Sequence, residues 1–180
     1  MTATLTTVQG DATNPANMGQ VAIVIPHVCN DVGAWGAGFV LAVSRRFGTN
    51  PEHAYYHWHK GKNMPAEVQK LIKVRGNNGE FGLGATQFVK VPDKKLVIAN
   101  MVAQHGLRND GSDRPPIRYG ALVNCMRSVR DVALAAKAEI HCPRFGSDLA
   151  GGNWDAIRLI ILEEWVDCGI TVVEYEFPKR

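Results

Sequence analysis

The chain has 180 residues, enough for one domain with a sizeable core and short for two. Hydrophobic residues make up 46% and charged residues 21%, ordinary proportions for a globular protein, and no apolar run approaches the roughly 20 residues that span a bilayer. The net charge of +3 comes from 20 basic and 17 acidic residues; the basic doublets (Arg45-Arg46, Lys94-Lys95, Lys179-Arg180) are too scattered for a strong nucleic-acid footprint, but a small anionic ligand needs no more.

The N-terminus, Met-Thr-Ala-Thr-Leu-Thr-Thr, has no basic n-region and no long apolar h-region, so a cytoplasmic location is expected. Cys29, Cys125, Cys142 and Cys168 stand far apart without a C-x-x-C pair. Free, buried thiols in a reducing compartment are favoured over zinc ligation or a reactive nucleophile.

Residues 5–8 read as a first strand that ends at Gly10-Asp11, and Asn14-Pro15 marks a loop. Residues 21–25 are apolar on both faces, the pattern of a central buried strand. A glycine segment follows, with Gly33, Gly36 and Gly38 inside six residues. Apolar positions 39, 40, 43 and 47 then share one helical face, and Gly48 suits the C-terminal stop. Residues 51–60 predict a second short helix. Its His53, His57 and His59 allow a metal site, but no acidic or thiol partner is spaced to complete it; a half-exposed aromatic helix is the favoured reading, and no metal or cofactor is expected.

Residues 82–91 and 95–100 predict two strands joined by a Pro92-Asp93-Lys94 turn. A polar loop covers 104–116, a helix 117–139, and a short strand 140–143. That strand runs into a second glycine segment, RFGSDLAGGNW. A helix over 156–168, closed by Gly169, and a strand over 170–177 complete the chain. Strands alternating with helices predict an α/β fold with parallel pairing and both sheet faces covered. Both glycine segments lie at a strand's carboxyl end just before a helix, where open α/β sheets bind ligands and where backbone N–H groups can converge on an anion. Tight turns alone are the alternative use of these glycines; two such loops favour a diphosphate clamp. Neither G-x-G-x-x-G nor G-x-x-x-x-G-K-[ST] is present, which excludes a typical NAD dehydrogenase and a P-loop NTPase.

Five stretches together carry a resemblance: VQGDAT (8–13), IPHVCNDVGAWGAGFVLAVSRRFG (25–48), IANMVAQHG (98–106), RPPIRYGALVNCM (114–126) and IHCPRFGSDLAGGNWDAI (140–157). In this order, over nearly the whole chain, they resemble a macrodomain, most closely the branch of yeast-type ADP-ribose-1″-phosphate phosphatases with their bacterial and phage relatives. The resemblance implies a three-layer α/β/α fold, a mixed, largely parallel central sheet, and a cleft for ADP-ribose. It also implies roles for residues. Asp11 would accept from the adenine amino group, with the Ala12 N–H beside it; a turn residue is the alternative for Asp11. Asn30 would contact ribose, or cap its loop. Gly33, Ala34, Trp35, Gly36 and Ala37 match the first diphosphate loop, where Trp35 walls the distal ribose or simply packs. Gly146, Ser147, Asp148, Leu149, Ala150 and Gly151 match the second. Tyr175 or Phe177 would stack on adenine, or belong to the core.

The chain also departs from the family. Phe39-Val40 stands where some hydrolases carry an acidic residue, Asn100 or Met101 where another branch has a lysine, and Ala150 where that branch has an aspartate. Those two mechanisms are therefore not expected, and a water mechanism remains. Asp148 replaces a glycine of the usual G-x-G-L-A-G-G; it can orient water or cap a turn. His27 is a second candidate acid or base, or else a buried structural histidine, and His105 is a third. The preferred reading is hydrolysis at the distal ribose of ADP-ribose-1″-phosphate or of ADP-ribosylated macromolecules; the rival is a non-catalytic ADP-ribose reader. An RNA-binding module fits the charge but lacks an aromatic-basic stripe.

Overall fold

The computed structural model describes residues 2–108, 111 and 113–176. Its strands are β1 (Leu5–Gln9), β2 (Ile23–Asn30), β3 (Ile72–Arg75), β4 (Thr86–Val91), β5 (Leu96–Gln104), β6 (Glu139–Pro143) and β7 (Val172–Glu176). They form one sheet in the order β1-β7-β6-β2-β5-β4-β3. The pairs from β1 to β5 are parallel, while β5/β4 and β4/β3 are antiparallel. Helices α1 (Phe39–Phe47), α2 (Asn50–His59), α3 (Ala66–Gln69), α4 (Tyr119–Ala136) and α5 (Trp154–Ile161) complete the chain.

Alternation along β2 builds the layers. Val24 faces the cluster of Met126, Ile140, Ile157 and Trp165 under α4 and α5. Ile23 and Ile25 face the opposite cluster of Val43, Tyr55 and Ile98 under α1 and α2. Each such side chain taken fully from water is worth about 1.5–3 kcal/mol. The Trp165 indole N–H donates to the Met126 carbonyl at 2.8 Å, so its one polar atom is satisfied in the core.

The central elements match the sequence reading, with informative differences. Strand β2 does not stop at residue 25 but continues to Asn30, despite Pro26. The Ile23 N–H points to β5, on Lys95 O at 2.8 Å, so the even-numbered N–H positions face β6. The β2/β6 ladder covers only Ile23 and Val24, hence Pro26 lacks a donor where none is needed. Strand β4 starts at Thr86 rather than 82, because Gly84 has φ +91° and its N–H reaches the Val102 carbonyl. Helix α4 ends at Lys137, which adopts φ +49°. After Ile161 the last helix continues as one π turn, Leu162–Val166. The mixed, largely parallel sheet is as expected, with the antiparallel β4/β5 pair joined by the predicted turn; β3 and α3, in a stretch with no strong periodicity, were not anticipated.

Three cysteines are buried and free, and Cys168 is exposed and free. Burial pushes the Cys125 thiol up to about 12 and raises Cys29 and Cys142. Among the described residues no helix is long and apolar enough to cross a membrane.

Candidate functional site

Strands β2 and β6 are parallel neighbours. The helix after β2 packs on one face of the sheet and the helix after β6 on the other. The crevice between their carboxyl ends is the switch point at which α/β sheets bind ligands, and both glycine loops open there.

The first loop, residues 31–38, is held by polar groups. The Asn30 amide N–H donates to the Ala34 carbonyl at 2.7 Å, while its oxygen accepts from Ala34 N at 2.9 Å and Val32 N at 3.2 Å. The Tyr55 hydroxyl donates to Asn30 from below. Asn30 thus ties the loop, the capping alternative. Gly33 has φ +77°, and a Cβ there would stand 2.4 Å from the His59 ring. Ala34 is partly buried. Trp35 is 8% exposed, packed against Tyr55, with its N–H on Ser44 Oγ at 2.9 Å, so it packs rather than forming an open wall. Gly36 and Ala37 are exposed, and nothing lies within 4 Å of a Cβ built at Gly36. Gly38 caps α1 without any side-chain bond, and in the first turn Leu41 N donates to Gly38 O at 3.2 Å.

The second loop closes on itself. Gly146 has φ +75°, and a Cβ there would meet Ile117 and Ile157 at 3.2 Å. The Gly152 N–H donates to Gly146 O at 2.8 Å, and Gly151 N to Asp148 O at 3.0 Å. Ser147 Oγ donates to the Arg144 carbonyl and Ala150 is buried. Asn153 caps α5 through Ala156 N at 3.0 Å. Leu149 is exposed and reaches toward Gly38, bringing the two loops together. Asp148 is exposed, and its carboxylate has no partner among the described residues.

At the other end of the site, Asp11 Oδ1 accepts from Thr13 N and Thr13 Oγ, both at 2.8 Å, a turn-closing role that leaves Oδ2 open. Ala12 is buried. Beside Asp11 lies a hollow of about 330 Å³ between Thr13 and Asn14 on one side and Ala42, Arg45 and Arg46 on the other. These two arginines were missed as site residues. Tyr175 is 8% exposed, its hydroxyl hydrogen-bonds to His141 Nδ1 at 2.9 Å, and its ring edge lies 3.5 Å from a Cβ built at Gly10. Phe177 lies outside the described residues.

His27 does not match the expectation of a proton carrier at the cleft. It is 1% exposed, and its Nε2 meets Asn100 Oδ1 at 2.7 Å. Asn100 Nδ2 donates to Pro51 O and to Gln87 Oε1, and Gln87 Nε2 donates to Ala54 O. Carbonyls at the end of this chain orient both amides, so His27 Nε2 carries the hydrogen. Burial lowers its pKa to about 4, which leaves a neutral imidazole.

His105, by contrast, is exposed. Its Nδ1 lies 2.7 Å from Asp31 Oδ2, and Asp31 Oδ1 accepts from Gly106 N at 2.8 Å. A carboxylate only accepts, so Nδ1 carries the hydrogen and the Nε2 lone pair points away from the pair. Asp31 was missed because nothing local links it to a histidine 74 residues away. Arg108 Nη1 donates to the Asp148 carbonyl at 3.3 Å, joining this segment to the second loop. Among the described residues no cluster of three metal-ligating side chains occurs.

No family model matches the chain. Among curated proteins it is similar to the chromodomain-helicase-DNA-binding protein 1-like of Mus musculus, 26% identical over 178 residues. The match covers 96% of this chain but spans only 18% of that relative. Among solved structures, a Bacteroides thetaiotaomicron protein of unknown function is 42% identical with a TM-score of 0.80, covering 96% of this chain and 98% of that one. A Thermosipho africanus DarTG in complex with ADP-ribose shares the fold alone, at 15% identity and TM-score 0.61, over 98% of this chain and 42% of that one. A macrodomain protein from Streptomyces coelicolor is 38% identical with a TM-score of 0.74, over 97% of this chain and 100% of that chain. Matched end to end at that identity, with the same layered sheet, the chain belongs to the macrodomain family.

Proposed function

We propose that the protein binds ADP-ribose or a derivative and hydrolyses a bond at the distal ribose. The observation that carries the catalytic part is the Asp31–His105 pair, an imidazole oriented by a carboxylate and open to solvent beside the two loops. The loop 1 N–H groups and the N-terminus of α1 hold the diphosphate. Asp11 Oδ2 receives the adenine amino group, with the Ala12 backbone beside it. The ADP-ribose held by the fold relative DarTG supports this choice of ligand.

With ADP-ribose-1″-phosphate, His105 Nε2 takes a proton from water as the water oxygen bonds to phosphorus. The bond from phosphorus to the distal-ribose oxygen breaks, that oxygen takes a proton from solvent and His105 returns its own to solvent, giving ADP-ribose and inorganic phosphate. Asp31 stabilises the imidazolium formed. Asp148, exposed on the second loop, is the second candidate for orienting water; Asn30 and His27 position the loop from below. ADP-ribosylated macromolecules are alternative substrates of the same chemistry, and the interior of the cell is the proposed location. The non-catalytic reader is favoured by one observation: Phe39 and Val40 place no carboxylate after loop 1.

Calorimetry with ADP-ribose, then a phosphate-release assay on ADP-ribose-1″-phosphate, tests both parts. His105→Gln should cut release by about 10²–10⁴-fold with ADP-ribose affinity preserved. Asp11→Ala should weaken binding instead. Binding without release by the wild type selects the reader, and unchanged release by His105→Gln refutes the acid–base assignment.

A further inference from the structure

We propose that the antiparallel end of the sheet carries a second anionic site, at the opposite end of the strands from the glycine loops, which holds the phosphodiester backbone of a nucleic acid. Lys73 on β3 stands opposite Phe88, so Lys90, two residues further along β4, lies on the same face. Lys95 stands in the β4–β5 turn, directly before β5 begins at Leu96. Two adjacent strands thus contribute one lysine each, and Lys94 and Lys95 in the turn add two more. Lys90, Lys94 and Lys95 line a hollow of about 520 Å³ whose one acidic lining residue is Asp93.

Phe88 belongs to the cluster under α4 and α5, so Lys73 and Lys90 lie on that same face of the sheet. On the α4–α5 side, Arg127 and Arg130 are spent on Glu164, and Arg144 and Arg158 on Glu174. None of the four lysines has an ion pair among the described residues. Their backbones span two inter-strand spacings, about 10 Å, too wide for one phosphate to satisfy all four ammonium groups. Lysine is a compact point charge suited to neutralising a run of phosphates rather than gripping one. No large hydrophobic side chain is exposed on these strands or their connecting turn to anchor a protein partner. The strand register brings Lys73 and Lys90 to the same end of the sheet as the Lys94-Lys95 doublet.

The test is fluorescence anisotropy of a short labelled oligonucleotide, as single-stranded RNA, single-stranded DNA and duplex, over a salt series. Four neutralised phosphates predict that log K falls with log salt at a slope of about −2.8 for a single strand. The quadruple variant Lys73→Gln, Lys90→Gln, Lys94→Gln, Lys95→Gln should bring the slope close to zero while keeping the melting temperature and the ADP-ribose calorimetry of the wild type. The matching quadruple arginine variant should restore the slope. The three nucleic-acid forms then show which backbone is preferred. No binding at low salt, an unchanged slope in the glutamine variant, or displacement of the oligonucleotide by ADP-ribose would each overturn the proposal; so would equal binding of poly-glutamate. None of these results depends on the proposed hydrolysis.

Discussion

The two glycine loops look alike in sequence and differ in what their glycines do. In the first, Asn30 and Tyr55 fix the backbone through hydrogen bonds, the His59 ring packs against Gly33, and Gly36 faces open space. The helix behind it has no side-chain cap. In the second, Gly152 lies against Gly146, Gly146 against Ile117 and Ile157, and Asn153 caps the following helix. The first loop leaves donors for a ligand. The second spends its glycines on its own packing and offers a closed wall. The tight-turn reading therefore accounts for the second loop, whereas the anion-site reading needs the first.

One substitution made at two sites tests this contrast most directly. Gly152→Ala puts a Cβ 2.5 Å from the Gly146 carbonyl oxygen, with backbone on both sides unable to yield. It should destabilise the fold by about 3 kcal/mol, at the upper end for overpacking, read as a lower denaturant midpoint. Gly36→Ala, equally free of positive φ, meets nothing within 4 Å. It should leave the midpoint unchanged, and about a tenfold loss of ADP-ribose affinity is expected because the methyl occupies the space a phosphate needs. Equal stability losses at the two sites would erase the distinction.

Acid probes the floor of the first loop, where His27 is buried. His27 has a pKa of about 4 in the folded chain and an ordinary value of 6.5 in the unfolded one. Between those values the unfolded chain binds the extra proton, so stability present above pH 6.5 is lost as pH falls toward 4. The full loss is about 3 kcal/mol. His141, also lowered by burial, adds in the same direction. Denaturant titrations across this window should show the decline, and His27→Gln, which keeps a donor for Asn100, should flatten it. An undiminished pH slope in that variant would remove His27 as its source. The smallest effect belongs to the caps: Asn153→Ala should cost about 1 kcal/mol of thermal stability. Loop 1 has no equivalent cap to lose.

Much of the fold was legible because its signals are local. The doubly apolar run at the start of β2, the 3.6-residue period of α4 and the glycine stops each reflect what a few adjacent residues can do. The loop glycines were legible for the same reason, whereas Asp11 and Asn30 were named through the resemblance. Residues 61–81 carry little hydrophobic periodicity, and there the antiparallel edge went unread. The roles of His27 and Trp35 were also undecidable, since a strand-end histidine and a loop tryptophan point inward or outward according to what packs beside them.

By itself, then, the sequence determined an α/β chain with two glycine turns at strand ends, because periodicity and turn chemistry are written over spans of a few residues, while five stretches carried the resemblance to macrodomains. The tertiary structure alone decided that Asp31 meets His105, that Gly152 abuts Gly146, and that Lys73 and Lys90 share a face. Those juxtapositions depend on which strands pair and in what register, and strand pairing is an energy shared among distant segments that no single segment encodes.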